Sequence, residues 1–455
     1  GFWYTKESAI KANLKAFIVN RVGDLSLILG IGIIFSITGS LDYYAVFSNS
    51  QEIAQTELLL TSTLSVSALT AACILLFGGA MGKSAQMPLH VWLPDSMEGP
   101  TPISALIHAA TMVTAGVFLL ARMSPLFELS TTALSFVLII GATTALFTGI
   151  LGLIQNDIKR VVAYSTLSQL GYMVAAAGVS AYSASLFHLM THAFFKALLF
   201  LAAGSVIVAL HHEQDIRKMG GLKNKLPITY ATSLIGSLAL IGFPGFSGFF
   251  SKDALIEAIG HADIIGSGFA YASVLIGVFI TALYTFRLFF KVFHGALDEH
   301  HHDVKESPLS ITLPLVLLAI PSVIIAWPTV GPMVFGSYFT TAISQPDAYQ
   351  IFGYEFTSAY GFLIHAFSSP VIYIALFGVA TAYVLYIQKP GILHDETYKS
   401  SFIYRLLDNK YYFDDLYENV FAKQARNIGD LLWKVGDIKT IDNFIVNGTA
   451  YRIGN

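Results

Sequence analysis

Long apolar runs, separated by glycine, proline and charged residues, dominate the chain. Residues 136–154, 311–327 and 371–387 are almost unbroken runs of the length that crosses a hydrocarbon core roughly 30 Å thick. Such segments form helices in a membrane, because each helical turn satisfies its own backbone polar groups. The run at residues 198–210 does not alternate between apolar and polar positions, as barrel strands would. The pattern therefore predicts an all-α polytopic membrane protein.

The apolar runs predict about ten transmembrane helices. They cover approximately residues 14–38, 57–93, 100–122, 132–154, 158–178, 182–210, 227–258, 266–291, 309–330 and 369–388. If successive helices alternate in direction, the lysines and arginines of the connections gather on one face, which we call the basic face. They are Lys6, Lys11, Lys15, Lys159, Arg160, Arg217, Lys218, Lys223, Lys225, Arg287, Lys291, Lys389 and Lys399. This asymmetry places the basic face in the cytoplasm or its mitochondrial equivalent.

Two of the predicted helices are discontinuous. The second span is interrupted by Pro88 and Pro94 beyond Lys83, and the seventh by glycines and a proline at residues 242–248, before Lys252. Such breaks free backbone polar groups at membrane depth, which is tolerated around a hydrated cavity or a protein-lined site. Two broken helices that lie five spans apart run in opposite directions, as an inverted repeat requires. We therefore predict an inverted-repeat architecture.

The composition changes near residue 390, so we divide the chain into a transmembrane channel domain, residues 1–390, and a charged tail, residues 391–455. Between positions 413 and 421, apolar residues recur at helical spacing beside a polar face. The tail is therefore predicted to form an amphipathic helix that lies along the membrane surface or against a partner. A small soluble cap is the alternative.

Composition supports a membrane protein and excludes several other functions. Apolar residues make up 55% of the chain and charged residues 12%, and the mean hydropathy is +0.64, far from the range of soluble domains. A net charge of −3 and the lack of a phosphate-binding loop disfavour nucleic-acid and nucleotide partners. A single cysteine, Cys73, builds neither a disulfide framework nor a thiolate cluster. We expect no cofactor or metal in this chain. The cluster of His300, His301, His302 and Asp303 resembles a metal site by composition, but it lies in a polar loop and we interpret it as a solvated run.

Three titratable residues lie on one stripe of a single predicted helix. His188, His192 and Lys196 occupy positions i, i+4 and i+8, and at 1.5 Å per residue they extend over about 12 Å of the helix axis. Ionisable residues are costly inside a membrane and usually mark ion or proton pathways. Because histidine titrates near neutrality, neighbouring groups can exchange a proton at little cost. We predict a proton relay; satisfied polar packing residues are the alternative.

Three further candidates lie nearer the N-terminus. Lys83 precedes the break at Pro88, where water and a nearby carboxylate would poise it between charged and neutral forms; an ordinary lysine at a span end is the alternative. His108 either passes protons from Lys83 through waters or packs between helices. It lies in a polar seam of Ser104, His108, Thr111 and Thr114. Asp24 is either the carboxylate partner of a buried lysine or locally paired with Arg21.

Two more lysines complete the candidate set. Lys159 opens the fifth span beside Arg160 on the basic face, so it is either an orientation signal, as we interpret Arg160, or part of the pathway. Lys252 follows the second break beside Asp253. It is either the exit gate of a second half-channel or one member of an interfacial ion pair, and the position that it shares with Lys83 favours the gate.

Several long motifs resemble the antiporter-like subunits of proton-pumping NADH:quinone oxidoreductase, respiratory complex I. They lie at residues 82–113, 157–171, 188–200 and 248–253, and the resemblance extends over nearly the whole chain. It is closest to the most distal member of that family. The resemblance implies the following roles: a central buried lysine of one half-channel for Lys83, a bridging hydrophilic axis for Lys159, His188, His192 and Lys196, an exit lysine for Lys252, and supporting positions for Asp24 and His108.

The resemblance also implies a function for the whole chain. It would be a proton-translocating membrane-arm subunit of an enzyme that contains NADH, flavin, iron–sulfur clusters and quinone in partner subunits. Its partners would be other membrane-arm subunits, contacted in part by the tail as a lateral helix, and the lipid bilayer. It would reside in the bacterial inner membrane, or alternatively the mitochondrial inner membrane. The carboxylate partner of Lys83 would then lie before Gly1, and a final membrane anchor after Asn455.

The main alternative is the large subunit of a multisubunit sodium/proton antiporter, which shares these motifs and uses no redox partner. Thr114 stands where such antiporters tend to carry a lysine, and the tail resembles the lateral helix of complex I more closely. A purely structural scaffold is a weaker alternative, because several buried lysines would be costly without a use.

Overall fold

The computed structural model describes residues 2–59, 65–295, 304–344, 346–390 and 401–454. They belong to two compact units, Gly1–Asp395 and Glu396–Asn455. Nearly all regular structure in the described ranges is helical. The histidine-rich run at residues 300–303 lies outside these ranges.

The described residues of the first unit form nineteen α-helices and one pair of short strands. Its first half comprises α1 (Glu7–Thr38), α2 (Tyr43–Ser48), α3 (Ser50–Gln55), β1 (Glu57–Leu59), β2 (Ser65–Ser67), α4 (Ala68–Lys83), α5 (Trp92–Asp95), α6 (Thr101–Ala109), α7 (Ala115–Arg122), α8 (Ser124–Phe127) and α9 (Thr131–Ile154). Its second half comprises α10 (Ile158–Gly178), α11 (Tyr182–Ala209), α12 (Pro227–Ile241), α13 (Ser247–His261), α14 (Ser267–Phe293), α15 (Leu309–Ile324), α16 (Ala326–Val330), α17 (Ala348–Phe352), α18 (Ala359–Ala366) and α19 (Pro370–Tyr383). Short 3-10 turns lie at Ser96–Glu98, Met112–Thr114, Ile216–Lys218 and Leu222–Asn224, and π-helical turns at Gly331–Phe335 and Val384–Gln388.

Every one of the ten predicted spans has a helical counterpart. Among the described residues, six helices are long and apolar enough to cross a membrane, and α15 with α16 and its π-helical extension forms a seventh span that bends by 44°. The six are Glu7–Thr38, Thr101–Arg122, Thr131–Ile154, Tyr182–Ala209, Ser267–Phe293 and Pro370–Gln388. The other three predicted spans are α4, α10 and the pair α12 and α13. Helices α4 and α12 are shorter, at 16 and 15 residues, and α10 carries a row of polar side chains.

The second predicted span begins too early. Its first residues form the strand β1, which pairs antiparallel with β2, with Glu57 opposite Ser67. The α4 helix starts only at Ala68, where the Ser67 hydroxyl accepts a hydrogen bond from the Thr70 amide. A serine cap of this kind satisfies an otherwise unpaired helix amide. The apolar pattern did not indicate where α4 begins, because the two short strands are as apolar as the start of the helix.

Both predicted breaks are present, and side chains satisfy backbone groups that they free. At the end of α4, the Trp92 indole donates a hydrogen bond to the Gly82 carbonyl at 3.0 Å. After α12, the chain turns through Gly242 and Gly245 at positive φ, and the Trp327 indole donates to the Gly245 carbonyl at 3.0 Å. Protein side chains thus supply the partners that irregular backbone needs at membrane depth.

A third break, which the sequence pattern does not predict, separates α6 from α7. The chain passes through a 3-10 turn, and the Thr114 hydroxyl donates to the carbonyls of Ala110 and Thr111 at 2.9 and 2.8 Å. The predicted polar seam through Thr111 and Thr114 is therefore not one stripe of regular helix. Residues 110–114 contain neither glycine nor proline, so the usual signal of a break is missing.

The helix α11 lies at the centre of the first unit, in contact with α6, α10, α12, α13 and α15. Beside it, α9 and α10 approach each other closely along small residues. A Cβ atom on Gly171 would lie 2.4 Å from the Ala145 nitrogen, and one on Gly141 would lie 2.4 Å from the Ala175 nitrogen. Small residues of this kind let membrane helices pack backbone to backbone, which holds α10 firmly against α9.

The second unit begins its described part with α20 (Phe402–Asp408) and a 3-10 turn (Lys410–Tyr412). One continuous helical stretch follows. It consists of α21 (Phe413–Leu416), a π-helical turn (Tyr417–Ala422), α22 (Lys423–Leu431), a longer π-helical segment (Leu432–Asn447) and α23 (Gly448–Gly454). Within this unit the apolar residues Leu416, Val420 and Phe421 are exposed. The predicted amphipathic tail is therefore a long helix with an uncovered apolar face.

Candidate functional site

Lys196 is the most completely buried lysine of the candidate set. It is fully buried on α11, and its Nζ donates hydrogen bonds to the Ser165 hydroxyl and, at 3.3 Å, to the Val162 carbonyl, both on α10. The Tyr284 hydroxyl on α14 lies near Ser165, but it makes no hydrogen bond among the described residues. A lysine held by neutral oxygen atoms, without a salt bridge in the described chain, can lose or gain a proton without breaking an ion pair.

Polar side chains that lie one helical turn apart on α10 separate this lysine from His188. The Gln169 side chain lies near the same Tyr284 hydroxyl, and its Oε1 atom accepts a hydrogen bond from His188 Nε2 at 3.1 Å. His188 Nδ1 lies 2.8 Å from the Ser251 hydroxyl on α13. Because an amide oxygen only accepts, neutral His188 carries its proton on Nε2 and accepts from Ser251 through Nδ1. His188 therefore connects α10 with α13 through two hydrogen bonds.

His192 lies on α11 between His188 and Lys196. Its Nδ1 donates to the Ala109 carbonyl at 3.2 Å, which the third break leaves without a helical partner. Its ring centroid is 6.2 Å from that of His188, and its Nε2 has no hydrogen-bond partner among the described residues. His192 thus offers a free ring nitrogen inside the protein, as a proton acceptor requires.

Lys252 extends this set beyond the second break. Its Nζ is buried, has no hydrogen-bond partner in the part of the chain that the structure describes, and lies 5.2 Å from the centroid of the Tyr172 ring. An aromatic face stabilises an ammonium group. Lys252 is close enough to Lys196 and His188 for their charges to interact. Since Lys252 and Asp253 are both buried, the geometry disfavours an interfacial ion pair.

Lys159 is buried at the start of α10, although it lies at the basic face. Its Nζ donates to the carbonyls of Met97 and Gly99 at 2.5 and 2.9 Å. It also lines an open cavity of about 800 Å³, together with Arg160 and Glu98. A residue that only sets orientation would be exposed like Arg217, so this position favours a pathway role for Lys159.

His108 occupies a separate position near Lys159 and Lys196. Its Nε2 lies 2.9 Å from the Ser96 hydroxyl, which itself donates to the Leu93 carbonyl. Its Nδ1 has no hydrogen-bond partner within the described ranges. The charges of both lysines act on His108, so it lies between the cavity at the basic face and the buried set on α11.

Asp24 and Lys83 form an ion pair of 3.1 Å between α1 and α4. Asp24 also lies 3.4 Å from Arg21, so both pairings that the sequence suggested occur together. The resemblance implies a buried lysine, but the Lys83 side chain is 37% exposed in the described chain. Because Lys83 is the last residue of α4 and lies at the α1 interface, its ammonium group stays partly accessible. No described hydrogen bond joins this pair to His108.

The structure adds members of the network that the sequence analysis did not single out. They are Ser165, Gln169, Ser251 and Tyr284. Ser165 and Gln169 lie at positions i and i+4 of α10, in a span that is otherwise largely apolar. Their helical spacing could therefore have identified them from the sequence. Ser251 and Tyr284 had no such signal, because they meet the network only through packing. Across the described residues, no group of three His, Cys, Asp or Glu side chains comes together as a metal site.

Replacing Gln169 with leucine is expected to slow proton transfer by about fivefold. The variant keeps the side-chain volume but removes the oxygen that accepts from His188, and one such buried hydrogen bond contributes about 1 kcal/mol. The measurement is ion-coupled turnover of the assembled protein. Ser168→Ala is the matched control, since the neighbouring Ser168 hydroxyl donates to the Ala145 carbonyl on α9 instead. Equal turnover in both variants would contradict a role for Gln169 in the network.

A central helix that carries three buried titratable residues, flanked by discontinuous helices, defines an ion-translocating polytopic membrane protein. Residues 1–285 match the family described as NADH:quinone oxidoreductase/Mrp antiporter, TM. The chain belongs to this family.

Curated relatives agree with this family and with one of its branches. Subunit L of NADH-quinone oxidoreductase from Neisseria meningitidis is 54% identical over 478 residues, which cover 100% of this chain and 71% of the relative. Subunit L from Rickettsia bellii is 47% identical over 469 residues, covering 100% of this chain and 70% of the relative. NADH-ubiquinone oxidoreductase chain 5 from Marchantia polymorpha is 51% identical over 330 residues, covering 72% of this chain and 49% of the relative.

A solved structure supports the same fold. A chain of the Mrp complex from a Dietzia species superposes with a TM-score of 0.72, covering 98% of this chain and 46% of that chain. Its sequence identity is 22%, so the similarity concerns the fold alone. The antiporter-like architecture that the motifs predict is therefore confirmed, and the curated relatives place the chain beside subunit L and chain 5.

Proposed function

We propose that this chain is a proton-translocating membrane-arm subunit of NADH:quinone oxidoreductase, respiratory complex I. The relatives named subunit L and chain 5 support this function. The observation that carries it is the set of buried polar side chains shared by α10 and α11: Lys196 donates to Ser165, and His188 donates to Gln169, which lies one helical turn beyond Ser165 on α10. Such a network moves protons without a redox centre of its own.

The proposed mechanism is electrostatic. Oxidation of NADH and reduction of quinone in partner subunits supply the driving force, and in this chain the response is a change in which side chains hold protons. Protons are taken up from the basic face, through Lys159 at that face and through Lys83 with Asp24 within the span. They pass His108 to Lys196, continue through His192 and His188, and reach Lys252. Since each lysine feels the charge of its neighbour, loading one site drives the release from the next.

The same proposal defines the surroundings of the chain. It is a multi-pass subunit of the bacterial inner membrane, or of the mitochondrial inner membrane if its relatives named chain 5 indicate the compartment. Its partners are other membrane-arm subunits, and flavin, iron–sulfur clusters, NADH and quinone belong to the rest of the enzyme. The helix of the second unit, with its apolar face, would contact neighbouring subunits as a lateral helix beside the lipid bilayer.

Purification of the native assembly tests this proposal against the sodium/proton antiporter alternative. We expect the assembly to oxidise NADH with quinone as acceptor, to contain flavin and iron–sulfur clusters, and to acidify the far side of vesicle membranes during turnover. The control is an uncoupler, which should collapse the acidification and leave NADH oxidation intact. An assembly without NADH oxidation that exchanges sodium for protons would establish the antiporter instead.

A further inference from the structure

The helix α13 carries titratable residues beyond Lys252 that the proposed mechanism does not use. In the alternating order of the predicted spans, helix α12 leaves the basic face after Arg217 and Lys225, and α13 is the second part of the same span. Its C-terminal end at His261 therefore lies toward the opposite face. The next helix, α14, returns and ends at Phe293, close to Arg287 and Lys291 on the basic face. The second half of α13 is thus positioned between the buried lysines and the far side.

Three titratable residues form a stripe along this half of α13. Asp253, Glu257 and His261 lie at positions i, i+4 and i+8, the same spacing as the relay on α11. Asp253 is buried, and neither of its carboxyl oxygens has a hydrogen-bond partner among the described residues. It is close enough to Glu257 for the two carboxylates to repel each other. His261 is exposed at the end of the helix.

Glu257 links this stripe to the surface through α18. Its Oε1 lies 3.3 Å from His365 Nδ1, and the Glu257 side chain is 11% exposed whereas that of His365 is 45% exposed. The Tyr354 ring stacks on the His365 ring at a centroid distance of 4.6 Å, and its hydroxyl lies beside the Glu257 carboxylate. Stacking holds the imidazole in place, so one nitrogen faces the buried carboxylate while the ring edge reaches the surface.

Stability does not explain this arrangement. A carboxylate inside a membrane protein is costly unless it is paired, and Asp253 has no such pairing in the described chain. An anchor between α13 and α18 would need only one carboxylate and one histidine. A second carboxylate without a partner, one turn deeper, is explained if the two acids pass a proton between them, because protonation of one carboxylate removes its repulsion of the other.

We propose that Asp253, Glu257 and His365 form the outlet through which protons released from Lys252 reach the far side of the membrane. The proton that leaves the Lys252 ammonium protonates the Asp253 carboxylate, moves to the Glu257 carboxylate, and is handed to the His365 imidazole. The imidazolium releases it to bulk water, and every group returns to its starting form. This inference rests on the proposed function, since an outlet requires a proton-translocating chain.

Glu257→Gln separates the two roles of this carboxylate. The glutamine oxygen still accepts a hydrogen bond from His365, so a structural anchor survives, but an amide does not carry the proton. In the assembled complex reconstituted in vesicles, we expect quinone-coupled proton ejection to fall by about tenfold. Assembly and NADH oxidation by a water-soluble electron acceptor should stay unchanged. Glu257→Asp, which restores a titratable group, should recover part of the ejection.

Glu355→Gln is the matched control, because Glu355 is an exposed carboxylate near Tyr354 and should pump normally. His365→Gln provides a second variant at an exposed position, where folding is not at risk, and should also slow ejection. Normal pumping in both Glu257→Gln and His365→Gln would overturn the outlet. Lys196→Met, measured in parallel, distinguishes failure of the outlet from failure of the proposed function. If Lys196→Met does not pump while the outlet variants do, only the outlet is wrong. If Lys196→Met also pumps, the proposed function itself fails.

Discussion

Lys196→Met is expected to lower proton-pumping turnover by at least about tenfold. Methionine matches the length and volume of lysine, so the packing around α11 survives. The substitution removes the lysine amino group, which is the group at this position that can hold a proton next to Ser165 and His192. Without it, the connection between His108 and the histidines of α11 is interrupted.

The measurement is the rate of NADH-driven proton uptake into vesicles, together with quinone-coupled NADH oxidation. Lys225→Ala is the matched control, because Lys225 is exposed at the basic face and its loss should leave both rates unchanged. Lys196→Arg adds a sharper comparison, since arginine retains the charge but does not release its proton under these conditions. A variant with arginine that pumped at the normal rate would show that charge alone suffices and would rule out proton transfer through Lys196.

Gly171→Ala is expected to cost about 1–3 kcal/mol of the free energy of unfolding, as overpacking does in well-packed interiors. The new methyl group would lie 2.4 Å from the Ala145 nitrogen and 2.7 Å from the Gly141 carbonyl oxygen. Both contacts are with backbone, so α9 and α10 must move apart as whole helices. Gln169 lies only two residues away, and its hydrogen bond to His188 would weaken with them.

Thermal inactivation of the assembled complex and its steady-state amount in the membrane report this change. Gly268→Ala is the control, because Gly268 lies in α14 with no neighbouring atom within 4 Å of the added methyl group. Alanine also favours a helix over glycine by about 1 kcal/mol, so this control should be neutral or slightly stabilising. Equal thermal stability of the two variants would mean that the close packing of α9 and α10 does not support the site.

The two halves of the transmembrane unit use similar local solutions for different tasks. In each half, a helix ends near a lysine and a tryptophan indole donates to a glycine carbonyl of the break, through Trp92 and Trp327. The surroundings of the lysines differ, since Lys83 is paired with Asp24 whereas Lys252 lies on the face of Tyr172.

The amino-acid sequence by itself determined the helical class, the order of the spans, both glycine- and proline-marked breaks, and the stripe of His188, His192 and Lys196. These features are local: hydrophobic runs, breakers and i, i+4 spacing act within one helix, so they can be read without knowing any neighbour. The motifs were also sufficient to identify the family, because they are long and because they coincide with the two breaks and with α11.

The tertiary structure alone decided which polar groups meet. Gln169 reaches His188 from a neighbouring helix, Ser251 comes from beyond the second break, and Glu257 meets His365, which lies 108 positions later in the sequence. It also decided that Lys159 is buried and that α6 ends early enough to free a carbonyl for His192. Such contacts depend on the angles and distances at which helices pack, and periodicity within one helix carries no information about them.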